Sequence, residues 1–181
     1  LHLCDRRQRQ MCIRDSPGAK DICIEMNSMS KAHNMPGWRI GMLASNPQFV
    51  EWSLRVKSNI DSGAFRPMQK AAVIALSSGP EWYESMNAVY RKRRKIAEKI
   101  AEELGCSFNS KQTGMFLWAK IPDHITSSAE LADKVLYEAQ VFITPGIVFG
   151  SLGDRYIRLS LCANEAALLE ALDRIKNRLN K

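Results

Sequence analysis

The residue types best able to do chemistry cluster in one short stretch, Ser28-Met29-Ser30-Lys31-Ala32-His33-Asn34-Met35-Pro36-Gly37-Trp38-Arg39-Ile40-Gly41. It holds two hydroxyls, one amine, and an arginine eight residues beyond the lysine. These are the parts needed to hold an aldehyde that carries a phosphate. A lysine amine condenses with an aldehyde, and burial beside other cations would make it more nucleophilic. An arginine fork binds phosphate through two parallel hydrogen bonds, and serine hydroxyls can complete the phosphate's shell. Gly37 and Gly41 let the backbone come close around the turn. Residue types alone leave alternatives open, because a lysine after serines in a loop is usually just solvated. The stretch is not a P-loop, since the GxxxxGK[ST] glycines are missing.

A second candidate is Arg158, in Tyr156-Ile157-Arg158-Leu159-Ser160-Leu161. It interrupts a run that otherwise looks buried. Three readings compete. Arg158 lies on the exposed face of an edge strand, pairs with a carboxylate inside the protein, or awaits the carboxylate of a ligand. An arginine buried beside Ile157 and Leu159 needs an anionic partner, so the residues alone favour an internal salt bridge.

The elements that must position these residues follow from periodicity. Residues 22–26 read as a short buried strand and 40–44 as a second apolar run. The lysine stretch lies between them, just after a strand, where α/β proteins place ligand-binding loops. Asn46 is an N-cap with Pro47 at the first helical position, predicting a helix to about residue 59. Pro67 predicts another, running to Leu76. A long helix follows over 80–104, with Trp82, Met86, Val89, Ile96, Ile100 and Leu104 largely on one face and Gly105 ending it. Strands are predicted over 115–121, 141–144 and 156–161. Ser127 and Glu130 form a capping box for a helix to Ala139. Asn164 caps a last helix whose core face is Leu168, Leu172, Ile175 and Leu179. The order strand, helix, strand, strand, helix predicts an α/β layer with helices packed on a sheet.

Composition narrows the classes. The chain has 181 residues, enough for one domain or a small domain plus a piece of another. No apolar run reaches membrane-spanning length and no signal-peptide pattern is present, so no membrane partner is expected. The cysteines Cys4, Cys12, Cys23, Cys106 and Cys162 are odd in number and lack CxxC spacing, so neither a metal site nor a disulfide scaffold is expected. A cytoplasmic setting fits that cysteine usage. The net charge of +7 raises the question of nucleic acid. Part of the excess sits in Arg6, Arg7, Arg9, Arg14 and Lys20. Another part, Arg91-Lys92-Arg93-Arg94-Lys95, lies in a helical pattern that also carries Glu98, Glu102 and Glu103, and reads as a solvated helix face. No aromatics interleave with a basic groove, so no nucleic-acid partner is expected.

Residues 1–16, LHLCDRRQRQMCIRDS, show neither helical nor strand periodicity. Met11-Cys12-Ile13-Arg14-Asp15-Ser16 resembles translated read-through of sequencing adapters. The segment is expected to be non-native or without order.

The string SMSKAHNMPGWRIG resembles the cofactor-lysine signature of the class I/II aminotransferases, the fold-type I pyridoxal-phosphate (PLP) enzymes. The resemblance covers about residues 20–181. It implies that Lys31 holds pyridoxal 5'-phosphate as a Schiff base and then shuttles a proton between the substrate α-carbon and the cofactor carbon. Ser28 and Arg39 match the family's phosphate ligands, with Ser30 as a further candidate. His33 and Asn34 are expected to shape the loop and Trp38 to pack. Arg158 matches the arginine that clamps the substrate α-carboxylate, and Thr144-Pro145-Gly146-Ile147-Val148-Phe149-Gly150 matches the family's loop into the active site, where Phe149 could line the substrate pocket or equally pack in the core. In some relatives the segment matching residues 62–69 reaches the partner subunit's active site, so Arg66 could touch a neighbour's phosphate or an acidic side chain; a surface arginine is the plainer reading.

The implied fold is α/β: the end of the large PLP-binding domain (17–78), then the small C-terminal α/β domain with its linking helix (79–181). The implied activity is transamination between an L-amino acid and a 2-oxo acid, in amino-acid metabolism, by a homodimer. A carbon–sulfur lyase or ring-forming synthase of the same fold shares these motifs, and a non-catalytic binding module is the third possibility. The family's earlier portion supplies the ring stacked on the cofactor and the aspartate under its pyridine nitrogen. It has no counterpart here, so this chain alone is expected to be poorly stable and inactive.

Overall fold

A computed structural model describes residues 17–179, and the expectation for residues 1–16 lies outside the described residues. The chain divides into two units, Leu1–Pro80 and Glu81–Lys181.

In the first unit a helical turn, α1 (Ala19–Ile22), leads into β1 (Glu25–Ser28), a second turn α2 (Met29–Ala32), a 3-10 turn Pro36–Trp38, and β2 (Gly41–Ala44). Two helices follow, α3 (Pro47–Ile60) and α4 (Arg66–Leu76). β1 and β2 pair antiparallel, from Glu25 opposite Ala44 to Ser28 opposite Gly41. The lysine stretch is therefore the connection of a hairpin. The strand predicted over 22–26 lies further along the chain. Its apolar pattern was right in kind, but register is set by the partner strand, and β2 pairs with 25–28. Nor is it buried: Ile22 is 77 % exposed and Met26 78 %. A two-stranded ribbon cannot cover its own faces.

Asn46 caps α3 as expected, its Oδ1 accepting from the Phe49 N–H at 3.0 Å, and Asn46 also donates to the Asp21 carbonyl at 2.8 Å. The small core of this unit is Met29, Met35 and Ala72, with Ile40, Ala71 and Ala75 packed around it.

The second unit carries the larger core. Its long helix α5 (Pro80–Glu103) buries Ala97, Ile100 and Ala101. Gly105 follows at φ 69, the left-handed conformation that ends a helix. The sheet has order β3–β5–β4, all antiparallel, with β3 at Phe116–Lys120, β4 at Thr144–Pro145 and β5 at Tyr156–Ser160. Helices α6 (Ser128–Ala139) and α7 (Glu165–Leu179) complete it. Leu117, Ile157, Leu161, Val135 and Ile175 are fully buried among these elements. Cys106 joins the same core, and burial pushes its thiol up to about 11, so it stays neutral and inert at physiological pH.

Local signals worked well here. Ser127 Oγ accepts from the Glu130 N–H at 3.2 Å, and the Glu130 carboxylate turns back onto the Thr126 N–H at 2.9 Å, one residue earlier than a standard box. Asn164 Oδ1 accepts from the Ala167 N–H at 2.8 Å. Two expectations need correction. The strand predicted over 141–144 shrinks to Thr144–Pro145. Gln140 takes a left-handed conformation at the end of α6, and the Val141 N–H is spent on the Val135 carbonyl. The basic run 91–95 is not simply a solvated face. Arg93 donates to the carbonyls of Leu161 (3.2 Å) and Cys162, and Arg94 to that of Gly114 at 2.9 Å. Carbonyls just outside a ladder lack strand partners, and these two guanidinium groups supply donors.

Between β4 and β5 the chain folds tightly on itself. A Cβ on Gly146 would collide with the carbonyl oxygens of Gly153 and Tyr156, the latter at 2.6 Å. Gly146→Ala is expected to destabilise the protein by about 3 kcal/mol, read as a fall in the denaturant midpoint. An unchanged midpoint would show that this loop yields freely.

Candidate active site

The hairpin positions four of the five predicted residues. Ser28 ends β1 and caps α2, its Oγ accepting from the Ser30 N–H at 3.2 Å. The Ser28 hydroxyl hydrogen thus remains available to donate. Lys31 lies in α2 and is exposed. Among the described residues this amine is therefore not buried beside other cations. Among the described residues no carboxylate or carbonyl engages its Nζ. Ser30 is half-buried.

Arg39 returns the chain toward β2 with φ 49, uncommon for a residue with a side chain. The strands flanking it demand that turn. The Met29 N–H bonds to the Ile40 carbonyl at 3.1 Å, and Gly41 faces Ser28 so closely that a Cβ would lie 2.7 Å from the Asn27 carbonyl oxygen. One guanidinium nitrogen of Arg39 donates to the Pro36 carbonyl at 3.2 Å, and its other donors are uncommitted among the described residues. Ser28, Ser30, Lys31 and Arg39 therefore share one end of the hairpin. Asn34, at φ 53, shapes the loop. Trp38, expected to pack, is 46 % exposed. Arg66 opens α4 and is exposed.

Arg158 belongs to the second unit and is half-buried. It stands on β5, the central strand, opposite Trp118 of β3 and Thr144 of β4. The edge-strand reading therefore does not hold. Nor does the internal salt bridge, since among the described residues no carboxylate pairs with Arg158. Its guanidinium carbon instead lies 4.3 Å from the centroid of the Phe116 ring and 4.2 Å from that of Phe149. Phe149 thus has a contact that neither pocket lining nor core packing alone describes. Phe116 was not singled out from sequence. The signal that could have found it, same-face alternation with Trp118, points nowhere until the β3–β5 register is known.

Solved structures that this chain resembles include fold-type I aminotransferases, so a PLP-enzyme fold is what this chain carries. A substrate-bound BacF structure from Bacillus subtilis superposes with a TM-score of 0.80 at 34% identity, covering 90% of this chain and 42% of that one. Residues 8–175 match the family model for aminotransferases of class I and II, and the chain belongs to that family. The match begins inside the segment 1–16. The LL-diaminopimelate aminotransferase of Aquifex aeolicus is 41% identical over 171 residues, which is 94% of this chain and 44% of that protein. The glutamate-pyruvate aminotransferase AlaC of Escherichia coli is 37% identical over 166 residues, 91% of this chain and 40% of its own length. The chain thus spans under half the length of the curated relatives it matches.

Aminotransferases of this class use pyridoxal 5'-phosphate. The hairpin fits it: its connection carries Lys31, whose amine has no partner among the described residues, the Ser28 hydroxyl, and Arg39 with spare donors. Among the described residues no helix is long and apolar enough to cross a membrane, and no cluster of three or more His, Cys, Asp or Glu could hold a metal ion.

Proposed function

We propose that the protein containing this chain moves an amino group between an L-amino acid and a 2-oxo acid. The observation that carries this reading is the exposed Lys31 amine, without a partner among the described residues, in the same hairpin connection as Ser28 and Arg39. When bound, pyridoxal phosphate supplies the aldehyde that receives the amino group and the ring that draws electrons from the α-carbon. Arg39 holds the phosphate through its fork, with the Ser28 hydroxyl as a second donor and Ser30 as a third. Lys31 anchors the cofactor and then acts as the base. Its amine takes the proton from the substrate α-carbon and returns it on the far side of the transfer. Arg158 holds the substrate α-carboxylate. In this reading residues 17–78 end the large cofactor domain, 79–181 form the small domain, and the complete protein is a cytoplasmic homodimer.

The substrate to try first is LL-diaminopimelate with a 2-oxo acid acceptor, because a relative of that name shares 41% identity. Glutamate with pyruvate is the control pair, chosen from the AlaC likeness. The complete protein, loaded with cofactor, should convert one of these pairs and consume the acceptor one for one. Release of ammonia and pyruvate without an acceptor would instead assign a lyase. No turnover of any amino acid, with no borohydride-stable label on Lys31, would remove the enzymatic reading.

Arg39→Ala in that protein should weaken cofactor affinity roughly 30-fold, since hydrogen bonds to charged groups are the strong ones. Titration of the cofactor absorbance band measures it. An unchanged affinity would mean that Arg39 serves the turn and not the phosphate.

A further inference from the structure

The second unit contains an unusual solution to holding a half-buried arginine. Such a cation normally sits against a carboxylate. Arg158 has none among the described residues. It lies over two phenylalanine rings, Phe116 at 4.3 Å and Phe149 at 4.2 Å. We propose that Phe116 and Phe149 are positioning residues that hold the Arg158 guanidinium ready for a ligand carboxylate, and so set the enzyme's affinity for both of its substrates. This rests on the reading of Arg158 given above.

Ring faces attract the cation through their quadrupole and replace some of the hydration it loses. A ring face is a far weaker acceptor than a carboxylate, and among the described residues no hydrogen bond occupies the Arg158 donors. An internal carboxylate would compete with the ligand for those donors, whereas two rings leave them free. A long side chain pinned by rings has also already given up its rotamer freedom, which lowers the cost of ordering it when the ligand arrives.

The rings themselves are held. The Arg94 guanidinium donates to the Gly114 carbonyl at 2.9 Å, at the entry to the strand that carries Phe116. The Phe149 ring meets Trp118 edge to face at 5.3 Å. Its loop is fixed by Ser128, a fully buried hydroxyl that accepts from the Ile147 N–H at 3.2 Å and donates to Asp154 Oδ1 at 3.2 Å. Gly146 packs its backbone directly against that of Gly153, which closes the same loop. Phe149 is nonetheless 50 % exposed, so hydrophobic burial is a weak reason for its presence.

The test uses the complete cofactor-loaded enzyme. Phe116→Leu and Phe149→Leu should each raise KM for the amino acid and for the 2-oxo acid roughly tenfold. Turnover should stay within about twofold, because the rings act on ligand binding. Cofactor affinity should not move, and Phe149→Tyr and Phe116→Tyr should restore the parent KM. In an Arg158→Gln background, removing either ring should add nothing.

Ring variants with unchanged KM would overturn the proposal while leaving the Arg158 reading in place, provided that Arg158→Gln itself raises KM. An unchanged KM in Arg158→Gln would overturn both. An equal effect of the ring variants with and without Arg158, or a parallel loss of cofactor affinity, would also overturn it, by showing a general disturbance of the sheet.

Discussion

Lys31→Ala in the complete protein should reduce transamination by roughly 10³-fold or more, because one amine serves as both anchor and base. Lys31→Arg should not rescue the rate. Guanidinium does not give up its proton near neutral pH, so it can neither condense with an aldehyde nor remove a proton from carbon. Borohydride reduction should label the parent at Lys31 and leave both variants unlabelled. Because Lys31 is exposed and makes no ion pair among the described residues, the fold should survive the change. Circular dichroism and thermal midpoint of the variant should match the parent. A residual rate within tenfold of the parent would remove Lys31 from the chemistry, and with it the carrying observation of the proposed function.

Arg158→Gln should lower kcat/KM for both the amino acid and the 2-oxo acid by about 10²-fold or more, the cost of losing one partner of a desolvated charge pair. The loss should fall mainly on KM if the contact is equally good in ground and transition states. Arg158→Lys should recover part of it, as a point charge without the fork. The structure adds a second expectation. Among the described residues no carboxylate depends on Arg158, so its removal orphans no charge there, and the thermal midpoint should change by only a few degrees. A structural arginine would give the opposite pattern, with lowered stability and unchanged KM.

Much of the fold was legible because its signals are local. Asn46, Ser127 and Asn164 each hold an N-cap hydrogen bond to an N–H three residues on. Capping needs only a short side chain and the next turn of backbone, so the information lies within four residues. The face Leu168, Leu172 and Ile175 is buried as its spacing required, and Gly105 ends the long helix as expected. The lysine loop was legible for another reason: the string itself resembles a known signature, and no periodicity argument was needed.

What failed was set across the chain. The first strand was expected over 22–26 and lies at Glu25–Ser28, because its place depends on pairing with Gly41–Ala44. Spacing places Arg93 and Arg94 on a solvated face, yet they hold carbonyls at Gly114, Leu161 and Cys162. Those carbonyls lie some 20 to 69 positions away in sequence.

The same division runs through the candidate site. Sequence by itself determined the helix caps, the long helix and its stop, and the family. Each of these is carried by neighbouring residues or by a contiguous string. Only tertiary structure decided that β5 is a central strand, that Arg158 has no carboxylate beside it among the described residues, and that Phe116 and Phe149 take that place. Strand order and register join residues far apart in the chain. They are chosen by how whole faces pack, a global minimum that no local pattern contains.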